Sequence, residues 1–262
     1  MGNFTAGRYN MILGKKTYIM AIINLTPDSF SDGGLYLNKD KAINRIFELM
    51  NMGADIIDIG AQSTRPGADL VSEEEELTRL VPILESIKGR IHVPISIDTF
   101  YPGVAKKAID LGADIINDVS GFGKNMIEVV KYSNCGCVVM SNDNGDDIRT
   151  FFEKKLDEMI RSGIQRERIC FDPGIGFGKN AEQNVDVIRN LHKIKIRDNA
   201  LLIGTSRKSF LKKYGGDVPV DRIFSTIATN VMAAERGADI LRVHDVEAMI
   251  QAMKVADDII MK

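Results

Sequence analysis

Asp98, Asn117 and Asp172 stand far apart in the chain, yet each closes a short apolar run: Pro94–Ile97, Asp114–Ile116 and Arg168–Phe171. Two carboxylates and an amide supply the acceptors and donors that the edge of a flat, nitrogen-rich ring requires. A second set is cationic. Lys208 lies in Gly204-Thr205-Ser206-Arg207-Lys208-Ser209, and Arg242 and His244 mark the end of the run Asp239–Val243. Such residues, with small hydroxyls beside them, suit an anion such as phosphate. Arg65, in Ser63-Thr64-Arg65-Pro66-Gly67, could clamp a phosphate, while its Pro-Gly makes a turn in any case. Asn24 opens a long polar stretch through Gly34 that could move over a ligand. Each residue alone has an ordinary reading. Asp and Asn cap helices, and Arg207 suits a solvated basic turn. Three such residues on convergent run ends favour one shared site, acidic on one flank and basic on the other.

The elements that must position these residues recur eight times. Besides the runs above there are Tyr18–Ile23, Asp55–Ile59, Gly136–Val139 (ending at Met140-Ser141) and Ala200–Ile203. Each is followed by a stretch long enough for a helix, such as Asp40–Met52, Asn184–Ile196, Asp221–Arg236 and Val246–Ile260. Ser72 before Glu73–Glu76 reads as a capped helix start with acid in its first turn. Near-continuous apolar strands alternating with helices indicate a parallel sheet. The expected class is α/β: a single (β/α)8 TIM barrel over residues 19–262, with a short N-terminal β-hairpin over 1–18 around a turn at Gly14-Lys15. In such barrels the C-terminal strand ends carry the active site. A Gly-Ala-Asp pattern at 53–55, 112–114 and 237–239 marks helix stop and strand entry, and says nothing of substrate.

Composition narrows the classes. The chain has 262 residues, 44% hydrophobic and 27% charged, with a net charge of −2. No global field favours nucleic acid or a membrane surface. No run approaches the roughly eighteen apolar residues of a membrane span, and no signal-peptide pattern opens the chain, so a soluble, cytoplasmic protein is expected. The odd, sparse set Cys135, Cys137 and Cys170 fits a reducing compartment, and Cys137 and Cys170, within strand runs, read as buried packing residues. His92 and His192 read as structural or surface residues, and no His cluster offers a structural metal site. The glycines of Asp172–Gly178 lack dinucleotide-fingerprint spacing. The residues alone therefore describe a barrel enzyme for a polar planar ring at one end of its pocket and an anion at the other.

At these residues the sequence resembles the dihydropteroate synthase family. Asn24–Gly34, Ser63–Gly67, Ser96–Thr99, Ile116–Gly121, Phe171–Lys179, Gly204–Phe210 and Arg242–Val246 match family motifs in the family's order. The resemblance implies condensation of 4-aminobenzoate with 6-hydroxymethyl-7,8-dihydropterin diphosphate in folate biosynthesis, Mg2+ as cofactor, inhibition by sulfonamides and a homodimer. It assigns Asp98, Asn117, Met140, Asp172 and Lys208 to the pterin, with Asp98, Asp172 and Lys208 as the catalytic set. Asn24, Arg65, Arg242 and His244 go to the diphosphate, with Asn24 also on the metal. Phe30, Thr64, Pro66, Phe177 and Ser209 go to aminobenzoate. One departure stands out: Ser141 follows Met140 where the family usually carries His. A corrinoid-type pterin methyltransferase would share the Asp and Asn contacts but lack the Ser63–Gly67 and Ser206–Phe210 elements, both present here.

Overall fold

The computed structural model describes residues 2–25, 35–62, 71–143 and 148–260. A hairpin of β1 (Asn3–Ala6) and β2 (Tyr9–Ile12) leads into β3 (Tyr18–Asn24). Then strands and helices alternate: α1 (Leu35–Asn51), β4 (Ile56–Gly60), α2 (Glu73–Ile87), β5 (Ile95–Asp98), α3 (Pro102–Asp110), β6 (Ile115–Asp118) and α4 (Lys124–Val130). The second half continues with β7 (Gly136–Met140), α5 (Ile148–Arg161), β8 (Ile169–Asp172), α6 (Ala181–Arg189), α7 (Leu191–Ile194) and β9 (Ala200–Ile203). It ends with α8 (Lys212–Gly215), α9 (Ile223–Glu235), β10 (Ile240–Val243) and α10 (Val246–Ile260). The parallel strands close in the order β10-β3-β4-β5-β6-β7-β8-β9, which is a TIM barrel. Among the described residues no helix is long and apolar enough to cross a membrane.

Period-two alternation splits each strand between two cores. Ile19, Ala21, Ile57, Ile97 and Ile116 pack outward against the helices. Met20, Ile56, Ile115, Val138, Cys170 and Ile240 fill the barrel interior. The hairpin closes the bottom of that interior with Phe4, Ala6, Met11 and Leu13. Its chain reversal lies at Gly7-Arg8, with Ala6 paired to Tyr9. Gly7 takes φ +58°, and a side chain there would strike the Asp114 carboxylate. Gly14 makes a second turn, between hairpin and barrel, so the reversal sits earlier than the sequence suggested.

One helix also differs from expectation. The helix expected at Asn184–Ile196 starts earlier, because Asn180 and Gln183 form a reciprocal capping box, and it breaks at Asn190 into α6 and α7. Ser72 caps α2 as expected, accepting from the Glu75 amide at 3.2 Å.

Candidate active site

The same alternation carries side chains to the barrel mouth. Two residues above the interior core come Asp58 on β4, Asn117 on β6, Met140 on β7, Asp172 on β8 and Arg242 on β10. The register aligns Asn24 with Gly60, Gly60 with Asp98, and Asp98 with Asn117. Asp98 and Asn117 cap no helix. Tyr101 precedes α3 and Gly123 precedes α4, neither with a side-chain cap. Asp118, next to Asn117, takes the turn role instead, accepting from the Ser120 and Phe122 amides at 2.7 and 3.1 Å.

Arg242 organises the acidic part. Its Nε donates to Asp58 Oδ2 at 2.6 Å and its second guanidinium nitrogen to Asp98 Oδ2 at 2.7 Å. The Asn117 amide leans on Asp58 at 3.4 Å. Acid and base therefore interlock here and do not occupy separate flanks, because buried carboxylates in a narrow barrel need a counter-charge within reach. Asp98 Oδ1 is buried with no hydrogen-bond partner among the described residues. Burial pushes the Asp98 carboxyl up to about 7, against the pull of Arg242 and with a further push from Asp58. Burial disfavours the charged Arg242, but Asp58 and Asp98 outweigh it and hold the guanidinium charged.

A second group surrounds Asp172. Its Oδ1 accepts from the Gly174 amide at 2.8 Å, a local turn, while Asn180 and not Asp172 caps the following helix. Burial raises its carboxyl, and Lys208 is the largest opposing influence. Lys208 Nζ donates to the Ile175 carbonyl and lies 4.8 Å from the centre of the Phe177 ring. Burial lowers its ammonium to about 8, with Asp172 resisting. A methyl group on Gly204 would touch Lys208 Nζ at 3.9 Å and Arg242 Cβ at 3.8 Å, so these two cations share one side of the mouth. The glycines of this segment serve packing. Gly174 has φ +66°, and a Cβ there would come within 2.2 Å of the Ser141 carbonyl oxygen.

His244 follows β10, where Ser206 Oγ lies 3.0 Å from its Nδ1 and accepts from its amide at 3.2 Å. Arg207 is half-buried, its Nε donating to Asp245 at 3.0 Å, so it is ion-paired where a solvated basic turn was expected. Asn24 ends β3, half-buried, and Met140 ends β7, buried. Ser209 opens a single 3-10 turn, Ser209–Leu211, and is exposed. Ser141 is fully buried, its amide donating to the Asp172 carbonyl at 2.8 Å and its hydroxyl accepting from the Asp143 backbone amide at 3.1 Å. It therefore ties the end of β7 to the end of β8. Phe30, Thr64, Arg65 and Pro66 lie outside the described residues. Cys137 and Cys170 are buried as expected, and Cys135 is buried too; burial pushes the Cys137 thiol up to about 12, away from the thiolate form.

Two site residues escaped the sequence reading. Asp58 sits inside an apolar run instead of at its end; a charge among Ile56, Ile57 and Ile59 was the available signal. Lys179 reaches back to the carbonyls of Gly174 and Phe177 at 3.2 and 3.4 Å and is nearly buried.

A closed barrel whose mouth gathers acids, an amide and cations from six strands defines a TIM-barrel enzyme acting on a polar, anion-bearing small molecule. Residues 20–244 match the model of the pterin binding enzyme family. A dihydropteroate synthase from Clostridium beijerinckii is 43% identical, the alignment covering 95% of this chain and 96% of the relative. The Burkholderia cenocepacia dihydropteroate synthase complexed with 7,8-dihydropteroate superposes with a TM-score of 0.89 at 35% identity, covering 98% of this chain and 96% of that one. The Yersinia pestis enzyme with a sulfonamide drug complex gives 0.90 at 34% identity, covering 98% of both chains. The chain belongs to the dihydropteroate synthase family of pterin binding enzymes.

Proposed function

We propose that the chain joins 4-aminobenzoate to 6-hydroxymethyl-7,8-dihydropterin diphosphate, giving 7,8-dihydropteroate and pyrophosphate in folate biosynthesis, and that sulfonamides target it. The observation that carries this reading is the buried, unpartnered Asp98 Oδ1 beside Asn117. A buried acceptor left open in the protein is costly unless a ligand donor meets it, and an aminopyrimidine edge supplies such donors. Asp98, Asn117 and Asp172 would hold the ring, with Met140 packing near it and Lys208 beside Asp172. Arg242 and His244, with Arg65, would face the diphosphate. Phe177 and Ser209, with Phe30, Thr64 and Pro66, would line the aminobenzoate pocket.

The chemistry follows from that placement. Breaking the methylene C–O bond leaves negative charge on pyrophosphate and positive charge on the pterin methylene. Cations at the mouth stabilise the first, and the carboxylates of Asp98 and Asp172 the second. The neutral arylamine then adds and releases a proton, so no strong base is required. Water would compete for the same carbon, and exclusion from the mouth protects it.

Mg2+ suits the donor set. Among the described residues no cluster of three His, Cys, Asp or Glu side chains could hold a metal alone. The half-buried Asn24 amide would supply one oxygen, and diphosphate and water the rest, as a hard cation with few protein ligands prefers. When bound, the ion would neutralise diphosphate charge.

A homodimer is proposed through α9 and α10, which leave Phe224 (80% exposed) and Ile259 (70%) uncovered, with Val255 and Met232 beside them. A cytoplasmic setting agrees with three unpaired cysteines. The test of the reaction is pyrophosphate release with and without 4-aminobenzoate. Release that requires the arylamine supports the proposal; release indifferent to it, or none, overturns it.

A further inference from the structure

Helix α2 opens with four consecutive glutamates, and three of them have a sufficient surface explanation. Acid in a first turn complements the helix dipole, and Glu75 pairs with Arg79. Glu76 differs, because it is fully buried. Its Oε2 accepts from the Gln62 amide at 3.0 Å, while its Oε1 is buried with no hydrogen-bond partner among the described residues. Gln62 lies just beyond β4, and Thr99 directly follows Asp98. Thr99 is itself buried and accepts from the Tyr101 amide at 3.2 Å. Arg79, one helical turn along from Glu75, donates to the Ala61 carbonyl at 2.9 Å. The start of α2 is thus bonded to the segment just after β4, whose last residue Gly60 pairs with Asp98, and the Tyr101 hydroxyl donates to the Val71 carbonyl ahead of α2 at 2.9 Å. Dipole complementarity does not require burying a carboxyl, which is unfavourable by itself.

We propose that Glu76 is a positioning residue for Asp98, holding the segment after β4 through Gln62 and thereby setting the orientation and charge of the pterin-facing carboxylate on the adjacent strand. This rests on the reading of Asp98 as a pterin contact. Burial pushes the Glu76 carboxyl up to about 7; Thr99 and Arg79 pull it down, and Glu73 pushes it further up. Its charge in turn raises Asp98, behind burial and Asp58 and ahead of Asp118, while Arg242 opposes them. An ionised Glu76 therefore keeps Asp98 protonated to higher pH. A neutral group with the same shape lets Asp98 ionise sooner.

The test is calorimetric binding of 6-hydroxymethyl-7,8-dihydropterin diphosphate across the neutral pH range to wild type, Glu76→Gln and Glu76→Leu. Glu76→Gln should keep wild-type affinity within about twofold on the alkaline side and shift the acid limb of binding to lower pH by a few tenths of a unit. Glu76→Leu leaves the Gln62 amide without its partner and should weaken binding roughly tenfold. An acid limb in Glu76→Gln that coincides with wild type overturns the inference, and this arm decides even where the leucine variant fails to fold. Wild-type affinity in a folded Glu76→Leu overturns it as well. Failure of the wild-type protein to bind the pterin at all would instead remove the reading of Asp98 beneath it.

Discussion

The two ends of the barrel use the same side chain in opposite ways. At the bottom, Asp55, Asp114 and Asp239 each follow a Gly-Ala pair and each accept a neighbouring strand's amide: Ile19 at 2.9 Å, Ile95 at 3.0 Å and Leu201 at 2.9 Å. Lys195 adds an ion pair to Asp239 at 2.7 Å. These carboxylates stitch strand entries together. At the mouth, Asp58 and Asp98 crowd a single guanidinium, Asp172 leans on Lys208, and Asp98 keeps a buried oxygen with no donor among the described residues. The three bottom carboxylates each meet an amide donor within the fold; at the mouth one Asp98 oxygen meets none among the described residues. Strand-end carboxylates are thus satisfied by the backbone at one end of the barrel axis and by side-chain cations at the other.

Arg242→Met should break the contrast most severely, because it strands two buried carboxylates without their counter-charge. A loss of about 3 kcal/mol in urea unfolding is expected, and affinity should fall for bare pterin as well as its diphosphate. Undiminished stability would show that the mouth does not depend on that ion pair. Asp98→Asn should weaken pterin binding about 100-fold by calorimetry, since the neutral amide presents an N–H where the ring needs an acceptor. Unchanged affinity would detach Asp98 from the ring. Asp239→Ala, at the other end, should cost about 2 kcal/mol of stability while the folded protein keeps its kcat; a large drop in kcat would erase the division between the two ends.

The pH dependence sharpens the same comparison. Asp98 has an ordinary value of 3.8 and is lifted to about 7 by burial. The folded chain therefore retains a proton that the unfolded chain has already released, and stability falls as pH rises through that window. Asp98→Asn removes this contribution, so its melting temperature should gain on wild type between about pH 4 and about pH 7. A gap that stays constant with pH would contradict the shift. Smallest of all, Gly237→Ala forces a side chain to φ +103° at a strand entry and should cost about 1 kcal/mol without altering turnover.

The barrel was legible because buried parallel strands are apolar runs, and their polar last residues stood out against them. Asp98, Asn117 and Asp172 were visible for that reason. Asp58 was hidden by the same logic, lying inside a run where chemistry was sought at the ends. Glu76 was hidden by a sufficient local explanation, since a helix start accounts for an acidic run without asking which acid points inward. The pairing of Arg242 with Asp98 joins residues 144 positions apart, and no spacing rule reaches across a barrel closure. The capping box at Asn180 and Gln183 was present in the chain, but the apolar pattern after it drew the helix boundary inward.

The central claim is that the open acceptor at the mouth belongs to the pterin. A crystal structure of the protein with 6-hydroxymethyl-7,8-dihydropterin diphosphate addresses it directly. Asp98 Oδ1 should accept a hydrogen bond from the ring, with Asn117 beside it. A ring seated elsewhere, with that oxygen still lacking a donor, would contradict the account.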